Sequence, residues 1–108
     1  MAQVTFEVVT YTYYNWSSRK SLKTNLILHG IDDETCSVWF EENPEAELSP
    51  ATKSGNYYSF YYHHHQLQHL IDILRNEGPI YVDFNDDHGF NNSRISTTRE
   101  PVGEGELR

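Results

Sequence analysis

One stretch of this chain carries a helical period, and it limits the folds available to the rest. Leu67, Leu70, Ile71 and Leu74 fall at i, i+3, i+4 and i+7, which gathers them on one narrow helix face. Residues 57–62 before it and 80–85 after it are rich in β-branched and aromatic side chains, so the unit reads strand, helix, strand. Asn76-Glu77-Gly78-Pro79 marks the stop, where glycine suits a left-handed C′ position and proline cannot continue the helix. Arg75 in the last turn complements the negative end of the helix dipole. The other segments are patterned as strand and turn, so the helix is expected to be a lid on a sheet.

Residues 3–14 alternate: Val4, Phe6 and Val8 point one way, Thr5, Glu7 and Val9 the other. Such a run is long for one strand, and the adjacent Val8 and Val9 predict a bend or bulge. Residues 15–23 form a polar loop with Arg19, Lys20 and Lys23, read as a solvated hairpin connection or, alternatively, a basic anion contact. Residues 24–29 are apolar and expected to be central. Gly30-Ile31-Asp32-Asp33-Glu34 predicts a tight turn that uses positive φ and local side-chain bonds. Residues 35–42 alternate again, with Cys36, Val38 and Phe40 on one face and Ser37, Trp39 and Glu41 on the other. Residues 43–55 read as a loop, and residues 93–98 as a last strand.

The expected architecture is α+β: a single, mostly antiparallel sheet of about six strands with one helix across one face, in the order β-β-β-β-α-β-β. The helical crossover is long enough to return residues 80–85 parallel to residues 57–62, with right-handed connection. Residues 1–99 are expected to form one domain, and residues 100–108, with two glycines and a proline, a frayed tail.

Sixteen acidic against eight basic side chains give a formal charge of −8. That field repels phosphate backbones and anionic lipid and favours basic partners. The lone Cys36 cannot form an internal disulfide, which fits a reducing compartment. No signal peptide or long apolar run is evident, so the expected setting is the cytoplasm, without a membrane.

Motifs for catalysis are absent. No G-x-S-x-G or phosphate-cradling glycine loop occurs, and the Glu41-Glu42 and Asp86-Asp87 pairs place neighbours on opposite strand faces. Cys36 sits mid-strand as a small apolar packer. His65, His69 and Asp72 would share one helix side and are weak metal candidates, with His88 able to join only through the fold. The run from Asp83 to Gly89 resembles a calcium loop, but His88 stands where glycine is needed and Arg94 replaces the bidentate glutamate. A turn built from Asn, Asp and Gly is the simpler account, and no cofactor is expected.

Eight tyrosines and two tryptophans carry the stronger signal. With Val38 and Phe40 turned inward, Trp39 faces out, together with Tyr57 and Tyr81 as candidate binding aromatics on an uncovered sheet face. These features predict a non-catalytic, acidic protein-interaction domain, a homodimer through that face or a strand edge, with a basic protein as a further partner. The alternative is a single-stranded nucleic-acid binder that stacks bases on the aromatic sheet. Net charge argues against it unless Arg19, Lys20, Lys23, Arg94 and Arg99 cluster around Trp39. A metal-dependent or carbohydrate-stacking protein is a third reading.

Overall fold

The alternating N-terminal run divides between two sheets. In the computed structural model, which describes residues 3–86 and 93–97, the chain bends at Val8 and Val9. Before the bend, β1 (Gln3–Glu7) pairs antiparallel with β7 (Ile80–Asn85); after it, β2 (Thr10–Asn15) pairs antiparallel with β3 (Thr24–His29). Backbone bonds hold both sides of the corner. The Val8 amide donates to the Ile80 carbonyl and the Val9 amide to the His29 carbonyl, each at 2.8 Å.

The α+β class stands, but the single six-stranded sheet does not. A three-stranded sheet runs β1-β7-β8, with β8 at Arg94–Thr97. A five-stranded sheet runs β2-β3-β4-β6-β5, with β4 at Thr35–Glu41, β5 at Thr52–Ser54 and β6 at Tyr57–His63. Its one parallel pair is β4 with β6. The expected parallel pairing of residues 80–85 with residues 57–62 is therefore corrected, because β7 lies in the other sheet. Its apolar side finds partners on β1, with Phe84 opposite Val4 and Val82 opposite Phe6. β5 lies inside the expected 43–55 loop. Gly55 at φ 61° turns it back onto β6 through a two-residue link, a backbone shape that favours glycine.

A 3₁₀ turn at His64–Gln66 leads into α1 (Leu67–Asn76). The helix ends through an extended Glu77 rather than a left-handed glycine. In the 30–34 turn, positive φ falls on Asp33 (66°) and not on Gly30. Gly30 is needed for space instead: a Cβ there would stand 2.8 Å from the Phe6 ring and meet the Glu34 carboxylate.

Between the sheets and the helix lies one core. Phe6, Val82 and Phe84 enter it from the three-stranded sheet, Leu26, Leu28, Cys36, Val38, Phe40, Tyr58 and Phe60 from the five-stranded sheet. Leu67 and Leu70 complete it from the helix, with Ile71 and Leu74 half-buried against it. Tyr58 joins the sheets: its ring centroid is 5.5 Å from that of Phe6 and 5.7 Å from that of Phe84. One face of the five-stranded sheet is thus covered, and among the described residues no second layer lies on the other.

Candidate functional site: the open face of the five-stranded sheet

Cross-strand register decides what the open face presents. Tyr14, Asn25, Trp39 and Tyr61 are successive partners across β2, β3, β4 and β6, so they form one row pointing away from the core. Trp16, two residues beyond Tyr14, adds a ring at the end of this row. Tyr14 and Trp16 lie 5.3 Å apart between centroids and Trp16 and Trp39 6.0 Å apart, with an 18° interplanar angle in both pairs. The Arg19 guanidinium lies over two of these rings, 4.7 Å from the centroid of Trp16 and 5.5 Å from that of Trp39, within cation–π range. Asn25, in the middle of the row, is buried, and its side-chain amide donates to the Val38 carbonyl at 3.1 Å.

The loop that delivers Arg19 is tied down at its far end. The Trp16 amide donates to the Lys23 carbonyl at 2.8 Å. The Glu42 carboxylate accepts from the Leu22 and Lys23 amides at 3.2 Å each, where Leu22 adopts φ 50°. Burial works to raise the Glu42 carboxyl, but those amide bonds and the charge of Lys23 outweigh it and hold it below the usual carboxylate range. A lowered carboxyl contributes order above its unfolded pKa and loses it as pH falls through its folded pKa. Acidification should therefore loosen this loop and change the tryptophan emission, and Glu42→Gln should give the same change at neutral pH. A variant spectrum identical to the wild type at neutral pH would show that Glu42 does not hold the loop.

The expected trio of Trp39, Tyr57 and Tyr81 is only partly brought together. Tyr57 shares the open face, exposed, with its hydroxyl 2.7 Å from Ser37 Oγ. Tyr81 stands on β7 opposite Glu7 and Ser96, on the outer face of the three-stranded sheet. Arg19, expected from sequence in a basic loop that could gather around Trp39, does reach that ring, whereas Tyr14, Trp16 and Tyr61 are not among the residues expected from sequence. The signal for two of them was present, since Tyr14 and Trp16 are spaced i, i+2 at the end of a strand.

The metal candidates do not converge. His65 lies in the 3₁₀ turn ahead of α1, which carries His69, and its ring stacks on that of His63 with centroids 5.8 Å apart. Asp72 accepts a bond from Gln68 at 3.0 Å. Among the described residues no group of three His, Cys, Asp or Glu side chains is placed to hold a metal ion. Chelator should leave the melting temperature unchanged, whereas a drop of several degrees would reinstate a structural metal. In the calcium-like run, Asp83 is engaged by Thr5 Oγ1 at 2.9 Å, Ser96 Oγ at 2.6 Å and Arg94 Nε at 3.5 Å. Residues 87–89 of that run, including His88, lie outside the described residues, as do Arg99 and the 100–108 tail.

Cys36 is fully buried, and burial pushes its thiol far above the usual range, away from the reactive thiolate. The Glu41 and Glu42 carboxylates are each occupied by backbone amides. No described helix is long and apolar enough to cross a membrane. The chain matches no protein-family model, no curated protein and no solved structure.

Proposed function

We propose that this protein is a non-catalytic interaction module that self-associates, and that it binds a basic protein partner on the open face of its five-stranded sheet. The carrying observation is the Tyr14–Trp16–Trp39 ring group with Arg19 laid over it. Large, rigid and half-polar rings are the residue types that concentrate at interfaces. Arg19 displays the chemistry in miniature, since its guanidinium lies over both indole rings. The charge of −8 draws a cationic partner toward it. Cys36, buried and unpaired, suits a reducing compartment, and we take the cytoplasm as the setting.

Both tryptophans lie in this site, so tryptophan emission, excited beyond the tyrosine band, reports on it. Titration with an arginine-rich peptide should give a saturable change that Trp39→Ser abolishes. An oligolysine of equal charge should give less, since lysine lacks the planar group that stacks. Equal responses to the two peptides, or a response that survives Trp39→Ser, would contradict the reading.

One observation favours a second reading. Arg19 covers the tryptophans while Lys20 and Lys23 share its loop, as a base-stacking platform requires. Arg94 does not join them, being paired with Asp83 on the other sheet. Saturable quenching by a short oligothymidylate, weakening with salt, would put this reading first.

A further inference from the structure

The described strands leave four sheet edges, and three of them carry the features that discourage pairing. β5 has only three residues, one of them Lys53; β8 has four and begins with Arg94; β1 ends in Glu7. β2 differs. Its six residues, Thr10-Tyr11-Thr12-Tyr13-Tyr14-Asn15, are all exposed and include no charge and no proline. Among the described residues its only strand neighbour is β3.

The phase of the ladder shows which backbone groups face outward. The bond from the Trp16 amide to the Lys23 carbonyl makes those two a hydrogen-bonded pair. By alternation Tyr14, Thr12 and Thr10 bond to β3, while Tyr11, Tyr13 and Asn15 turn their amides and carbonyls to the free edge.

We propose that this edge is taken by β2 of a second copy, antiparallel, about a two-fold axis at Tyr13. The inference rests on the self-association within the proposed function and places it at the edge instead of the open face. In this register Tyr11 of one copy meets Asn15 of the other, Thr12 meets Tyr14, and Tyr13 meets itself. The outward amides and carbonyls then satisfy one another, and the two sheets become one.

Charge is what selects a second copy over an unrelated strand. Arg19, Lys20 and Lys23 lie beyond the C-terminal end of β2. Its N-terminal end lies beside Glu7 and, through the pairing of Thr10 with His29, beside the turn that carries Asp32, Asp33 and Glu34. Antiparallel pairing brings the basic end of each copy to the acidic end of the other, twice over by symmetry. Repulsion between two chains of −8 acts at longer range and is screened beyond about 8 Å at physiological salt.

Tyr13→Pro is the discriminating variant, because the amide it removes bonds to nothing in the β2–β3 ladder. The fold should survive, as read by far-UV circular dichroism, while association measured by light scattering weakens about a hundredfold or more. Trp39→Ser should leave the dimer intact. In the wild type, the Tyr11, Tyr13 and Asn15 amides should gain hydrogen-exchange protection on concentration, while Thr10, Thr12 and Tyr14 are protected throughout. A dimer that survives Tyr13→Pro but not Trp39→Ser would overturn the edge and leave self-association standing. A wild-type monomer would overturn both. Should Tyr13→Pro unfold, Tyr13→Lys takes its place, with the same loss expected and an undiminished dimer counting against the proposal.

Discussion

Tyr58→Ala should cost about 3–5 kcal/mol, the range for deleting a buried aromatic ring. Tyr58 is almost fully buried, and its ring bridges Phe6 on β1 and Phe84 on β7. Truncation removes that bridge from both sheets at once and leaves a void between layers that cannot easily close. For a chain of about a hundred residues, such a loss corresponds to a melting point lower by roughly 12 °C or more. A loss below about 1 kcal/mol in urea denaturation would mean that the sheets do not meet at Tyr58.

Leu70→Ala should cost about 2–5 kcal/mol. Leu70 is buried in the same core as Val38, Phe40, Val82 and Phe84, with Ile71 and Leu74 flanking it half-buried. A helix of ten residues is too short to hold its shape alone, so losing its central anchor loosens the whole element. A measured loss under about 0.5 kcal/mol would show that the helix is not docked on the sheets.

Much of this fold is legible in the sequence because alternation and helical period report burial directly. The Leu67–Leu74 stripe, the inward Cys36, Val38 and Phe40, and the bend at Val8 and Val9 all follow from local pattern. Partner choice is a different quantity. Alternation says that Ile80, Val82 and Phe84 face a core, but not whether their strand bonds to β6 or to β1. The two sheets follow from that long-range choice, and with them the separation of Tyr81 from Trp39. β5 was hidden because three polar residues carry no apolar period. Its trace was the Gly55-Asn56 pair, a two-residue hairpin signal. Arg19 and Trp39 meet only through the β2–β3–β4 register, which no local window contains.

In the proposed arrangement the open face stays available, in the single chain and in the edge-paired dimer alike. Acrylamide quenching of tryptophan emission reads that availability, because Trp16 and Trp39 are the only tryptophans and both lie there. Quenching should be substantial in dilute protein and should persist at concentrations where light scattering reports a dimer. Emission that is shielded already in dilute protein, or that becomes shielded as the dimer forms, would mean that the face is covered and not free for a partner.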